Sequence, residues 1–245
     1  MTPKRLVFLF VVGAVGLAAP LFGESGGKKL FSVTNTQQIP FQPGGTVHLT
    51  RSYGYLSVEG WDRPEVELTV IKSLDNLYGA KDQAEATKRV ETVHVTAERR
   101  SDTELEISTV VPHYSRWTHP LGSTGGVMVE YQIHVPRNSK LVIQHGAGDV
   151  IVSNVTADID ARSHAGDIVL LLPETEKYSI DAKSKIGTVS SDFDGDFHRR
   201  MLMGIQNSLT APAPAHRIYL RTGLGGITIK GSPASAQPPA AGGSQ

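Results

Sequence analysis

A short phrase recurs along this chain: a glycine followed by a run of β-branched residues. Gly148-Asp149-Val150-Ile151-Val152 returns 18 residues later as Gly166-Asp167-Ile168-Val169-Leu170. Looser copies are Gly54-Tyr55-Leu56-Ser57-Val58, Gly187-Thr188-Val189 and Gly225-Gly226-Ile227-Thr228-Ile229. A period near 20 residues accommodates two short strands and two turns, and units of that size bury their apolar face by stacking on neighbours. Glycine fits the start of each unit because a corner with positive φ, or a close backbone approach, is least costly without a Cβ. The repeat therefore predicts an all-β fold, a solenoid-like stack of short β coils. A β-sandwich is the alternative, since Gly-Asp also marks hairpin turns.

Strict alternation supports strands elsewhere. Val127, Val129, Tyr131, Ile133 and Val135 share one parity, and Met128, Glu130, Gln132 and His134 the other, as in a half-buried strand. Pro136 closes it, because proline offers no backbone donor to an interior ladder. Leu141 and Ile143 resume the pattern, as do Val93 with Val95 and Leu105 with Ile107. Tyr78 to Val90 is instead rich in Ala, Lys and Glu, which predicts one short inserted helix.

The ends differ from the middle. Lys4 and Arg5 precede an uncharged apolar run of 14 residues, Leu6 to Ala19. That length suits a signal-peptide core, whereas a helix crossing a bilayer needs about 20 apolar residues. We expect a signal over 1–23 ending at Gly23, a lead-in over 24–45, a β-repeat domain over 46–231 and a disordered Pro/Ala/Gly tail over 232–245. An uncleaved anchor is the alternative at the N-terminus. The expected location is outside the cytoplasm: periplasm, outer surface or extracellular space. Loss of Lys4 and Arg5 takes the basic count from 24 to 22 against 24 acids. That balance lacks the basic footprint of a nucleic-acid binder, so nucleic acid is not an expected partner. With no cysteine, neither a disulfide nor a thiolate ligand or nucleophile is available.

The order of an early Gly-x-Leu-x-Val strand, a charged helix, Val129-Glu130-Tyr131-Gln132-Ile133-His134-Val135-Pro136, and Leu141-x-Ile143 leading into Gly148-Asp149-Val150 resembles the bacterial putative-adhesin family of unknown function. The resemblance covers roughly Gly54 to Gly231. It implies an exported or envelope-associated protein of repeated β coils and carries no catalytic residues with it. Between Phe193 and His216 the chain departs from that pattern, with Met201-Leu202-Met203 and a Pro-Ala stretch interrupting the repeat.

Candidate sites are few. Tyr114 and Trp117, flanked by His113 and His119, combine flat apolar faces with hydrogen-bond donors and are the candidate ligand-binding residues; alternatively Trp117 folds over the core as a cap. Asp192, Asp194 and Asp196 offer hard oxygen ligands and are the candidate metal site, for calcium. They do not fit the helix-loop-helix calcium template, which wants glycine sixth and glutamate twelfth where this run has Gly195 fourth and Met203 twelfth. A solvated turn explains them equally. Asp149 and Asp167, at matching repeat positions, would lie one strand spacing apart and repel, a situation a cation would relieve. His145 and His164 lie near successive turns, but no His-x-His or His-Glu-x-x-His accompanies them. Ser25 sits in a formal Gly-x-Ser-x-Gly at the signal junction, with neither the strand nor the helix that a nucleophile elbow requires.

The expectation is thus an exported, non-catalytic envelope module, with no cofactor beyond that calcium candidate and no membrane span after signal cleavage. Its partners would be an envelope protein, a polysaccharide or its own copies. The alternative is a β-solenoid polysaccharide-active enzyme, for which the Asp192 to Asp196 run supplies the candidate carboxylates.

Overall fold

The computed structural model describes residues 29–78, 82–110, 126–193, 196–199, 205–210 and 216–232. They form 17 strands and one helix. The strands are β1 (Lys29–Pro40), β2 (Thr46–Ser52), β3 (Tyr55–Trp61), β4 (Glu65–Tyr78), β5 (His94–Ser101), β6 (Glu104–Val110), β7 (Val127–Pro136), β8 (Lys140–Ala147) and β9 (Val150–Ser153). They continue as β10 (Ile159–Ala165), β11 (Ile168–Pro173), β12 (Tyr178–Ile186), β13 (Val189–Ser191), β14 (Asp196–Arg199), β15 (Ile205–Thr210), β16 (His216–Leu224) and β17 (Ile227–Ser232). Helix α1 is Gln83–Glu91. The fold is mostly β, as the alternation predicts. The helix begins later than expected because β4 runs on through Tyr78.

Two mixed sheets result. One has eight strands in the order β1-β4-β7-β3-β9-β11-β17-β13, the other nine in the order β14-β15-β12-β16-β10-β8-β2-β6-β5. Five strand pairs, β2 with β3, β8 with β9, β10 with β11, β12 with β13 and β16 with β17, each pass from the second sheet to the first through a corner glycine. The five glycines are Gly54, Gly148, Gly166, Gly187 and Gly225, all at positive φ.

Position as well as backbone angle requires glycine there. A Cβ on Gly166 would lie 2.1 Å from the Gly148 carbonyl oxygen, and one on Gly148 would lie 2.0 Å from that of Gly54. The corners are tied by a regular ladder: the amides of Gly54, Gly148, Gly166 and Gly225 donate to the carbonyls of Ala147, Ala165, Leu224 and Ile186.

Parallel register then aligns the apolar residues across units. In the first sheet Leu56 pairs with Val150, Val150 with Ile168, Ile168 with Ile227, and Ile227 with Val189. The second sheet aligns Leu105, Val47, Leu141, Ile159, Ile218 and Ile180 in the same way. All these side chains are buried in one apolar cluster between the sheets. Burying each such side chain contributes about 1.5–3 kcal/mol, so the rows are the main source of cohesion in a chain without disulfides.

One feature of the order differs from the repeat. In sequence the Gly187 unit precedes the Gly225 unit, yet β17 lies between β11 and β13, and β16 between β10 and β12. The chain therefore places one unit outermost, leaves through the antiparallel pair β14 and β15, and returns to fill the gap. The described residues of the interrupted stretch between Phe193 and His216 are those of β14 and β15.

The far end is closed differently. Strand β4 adds antiparallel to β7 and β1 antiparallel to β4, while β5 adds antiparallel to β6. Helix α1 buries Ala86 and Val90 in the core. The Lys72 ammonium donates to the carbonyls of Val90 and Val93, tying the C-terminal end of that helix to β4. Burial lowers the Lys72 pKa.

Candidate binding face

Just ahead of each corner the second sheet carries a buried polar column. Ser52 pairs with His145, His145 with Ser163, Ser163 with Thr222, and Thr222 with Ser184. All five are buried. Most satisfy themselves on corner carbonyls: Ser163 donates to Ala165, Thr222 to Gly166, and Ser184 to Gly225. His145 is the exception in type. Its Nδ1 lies 2.9 Å from the Ser52 hydroxyl, and its Nε2 is buried with no hydrogen-bond partner. A buried Ser-His pair resembles a nucleophile and its base, but at 4% exposure for His145 and 3% for Ser52 no substrate reaches it.

Burial lowers the His145 pKa. A proton is then bound less readily in the folded state than in the unfolded one. Stability is accordingly full above pH 6.5 and is lost as pH falls below that value toward the lowered folded pKa. The column suggests the remedy, because four of its five members are hydroxyl residues. Urea titrations above and below pH 6.5 are expected to show His145→Ser losing less stability on acidification than the parent chain. Parallel losses in the two proteins would show that His145 is not the acid-sensitive group.

The acids of the repeat are engaged locally. Asp149 Oδ1 accepts from the Asp167 amide at 3.0 Å, and Asp167 Oδ1 accepts from the Gly226 amide at 2.7 Å. Each carboxylate thus meets the backbone of the next unit, not the neighbouring carboxylate. Of the expected metal ligands, Asp192 is exposed and its amide donates to the Ile229 carbonyl, while Asp196 starts β14. Asp194 lies outside the described residues, as do His113, Tyr114, Trp117, His119 and Ser25. Among the described residues no three His, Asp or Glu side chains gather as a metal site would require. His145 and His164 are separated by burial: the first is in the core, and the second is exposed on the outer face.

That outer face carries a grouping that net charge concealed. The outward positions of β10, β16 and β12 hold Arg162, Arg217, Arg221, Lys183 and Lys185 against Asp160 and Asp181. Register sets Lys183 beside Arg221 and Arg221 beside Arg162. Tyr219 braces the two arginines, with the Arg221 guanidinium 3.8 Å and the Arg162 guanidinium 5.1 Å from its ring centre. Asp181 and Asp160 fix the same groups, at 2.6 Å to Arg221 and 2.9 Å to Arg162. Gly223, between Lys185 and His164, leaves a trough of about 340 Å³ that these three residues line with Lys183 and Arg221. A side chain at Gly223 would meet the His164 carbonyl at 2.4 Å. The alternations Arg217-x-Tyr219-x-Arg221 and Lys183-x-Lys185 are the signal in the sequence that reveals this face.

No helix among the described residues is long and apolar enough to cross a membrane. No family model matches the chain, and neither does any curated protein. Solved structures similar to it include one described as a putative cell adhesion protein from Clostridium sporogenes, at 13% identity and a TM-score of 0.46, the likeness covering 82% of this chain and all of that one. Another is described as a putative adhesin from Bacteroides fragilis, at 13% identity and a TM-score of 0.26, covering 86% of this chain and all of that one. A third, described as a putative adhesin from Parabacteroides distasonis, has 10% identity and a TM-score of 0.21, covering 84% of this chain and 98% of that one.

Proposed function

We propose that the chain is an exported, non-catalytic cell-envelope protein whose β domain is a solenoid-like stack used as a binding or structural module, in the manner of an adhesin. The observation that supports this most is the parallel register carried from unit to unit in the first sheet, from Leu56 through Val150, Ile168 and Ile227 to Val189. It commits the inward side chains to cohesion and leaves the outward rows as long, continuous surfaces. Such surfaces suit extended contact with a partner. Chemistry on a small substrate instead needs convergent groups in a pocket.

Export follows from the apolar run Leu6 to Ala19 behind Lys4 and Arg5. The test is to express the full chain in a bacterial host, fractionate the cells and determine the N-terminus of the product. The expected product begins at Glu24 and appears in the envelope or the medium. A cytoplasmic product with residues 1–23 retained contradicts the proposal, and so does release of oligosaccharide from envelope glycans by the purified protein.

A further inference from the structure

We infer that the outward face of β10, β16 and β12 binds an acidic polysaccharide whose carboxylates lie across the strands, over Arg162, Arg221 and Lys183 and into the trough beside Lys185 and His164. This deepens the envelope-module reading above and rests on it.

Three features select the ligand. First, Lys183, Arg221 and Arg162 are in register on adjacent strands, which lie about 4.8 Å apart, so three cationic side chains rise from one row, the two guanidiniums leaning over Tyr219 toward Asp181 and Asp160. A uronate chain bears one carboxylate on every pyranose ring and presents its charges in a comparable linear series. Second, the two guanidiniums are held in place before any ligand arrives, by Tyr219 and by Asp160 and Asp181. Pre-ordered arginines lose little side-chain entropy on binding. Lys183 and Lys185 make no ion pair among the described residues, so their charges are left for the ligand.

Third, the shape suits a sugar chain. Gly223 keeps the floor of the trough open, without a side chain between Lys185 and His164. Single-stranded nucleic acid fits less well, because its bases stack on open aromatic faces, and the Tyr219 ring carries guanidiniums. A bilayer is flat, and the trough is concave.

The test measures binding of the full-length protein to polygalacturonate, with fully methyl-esterified polygalacturonate, single-stranded DNA and anionic phospholipid vesicles run in parallel. Binding is expected to the free acid alone and to weaken with salt. Lys183→Gln/Lys185→Gln is expected to weaken it by about tenfold. Lys185→Gln, altering one exposed side chain, is expected to weaken it by less, and Lys230→Gln on the opposite sheet to leave it unchanged. Thermal melting of each variant checks that the fold is kept. The inference is overturned if the wild type ignores polygalacturonate, if it binds the ester, DNA or vesicles equally, or if Lys230→Gln weakens binding as much as the double variant. Should the wild type fail to bind while the exported chain still sediments with the envelope, this ligand is excluded and the envelope-module reading stands.

Discussion

Gly166→Ala is expected to destabilise the protein by about 3–5 kcal/mol, whereas Gly146→Ala, in the neighbouring strand β8, is expected to change stability by less than about 1 kcal/mol. The contrast isolates the corner from the general cost of losing a glycine. Gly166 has φ +113°, and an added Cβ would overlap the Gly148 carbonyl oxygen at 2.1 Å and its carbon at 2.5 Å. Positive φ alone costs a non-glycine residue about 1–3 kcal/mol. Relieving the overlap must also shift the corner, and with it the bonds from the Gly148 amide to Ala165 and from the Gly166 amide to Leu224, each contributing about 1 kcal/mol. Gly146 is exposed, lies outside the positive-φ region and would meet only the Ser52 carbonyl at 3.5 Å. Urea unfolding of the two variants measures the difference, and equal losses would show that the corner backbone is free to adjust.

The second large effect is alkaline. Tyr131 is fully buried at the centre of β7, with its hydroxyl 2.7 Å from Thr109 Oγ1, and burial pushes its pKa up to about 12. A folded pKa raised above the unfolded value of 10.0 means that stability is full below pH 10 and drains as pH rises to about 12. Two pKa units correspond to about 3 kcal/mol. Burial also raises the pKa of Tyr178, whose hydroxyl donates to the Pro173 carbonyl, so it adds to the loss in the same direction. Tyr131→Phe is expected to cost about 1 kcal/mol at neutral pH through the lost hydrogen bond, yet to lose about 3 kcal/mol less than the parent between pH 10 and 12. Curves that converge at neutral pH and fall together in alkali would remove Tyr131 from this role.

Much of the fold was legible in the residues. A glycine ahead of a short β run marked each of the five corners among the described residues, and Val150 and Ile168, 18 residues apart, are direct partners in the parallel sheet. The alternation from Val127 gave the strand β7 with its buried parity. The spatial order of the last two units was not legible. Gly187 and Gly225 units carry the same kind of local signal, and their exchange depends on the return path through β14 and β15, which no short-range pattern encodes. The start of the helix was displaced because strand pairing of β4 with β1 outweighs local propensity at Tyr78.

The site was less legible than the fold. Turn aspartates and loop aromatics stand out in a linear reading, yet Asp149 and Asp167 serve the backbone of the next unit. The basic face was hidden for a different reason. Its members come from three strands separated by up to 59 positions, from Arg162 to Arg221, and their charges vanish in a neutral total. Parallel register creates the grouping, so a charge count taken along the chain does not find it.

Strand β17 is inserted between β11 and β13, out of sequence order. Because the chain has no cysteine, pairs can be introduced against a silent background. Val169, Thr228 and Ser190 occupy one in-register row on the outer face of the first sheet. With this order, Val169→Cys/Thr228→Cys and Thr228→Cys/Ser190→Cys are expected to link rapidly with a short thiol crosslinker, while Val169→Cys/Ser190→Cys, two strands apart, is not. Efficient linkage of Val169→Cys/Ser190→Cys together with failure of Val169→Cys/Thr228→Cys would place β13 between β11 and β17, in sequence order, and contradict this arrangement.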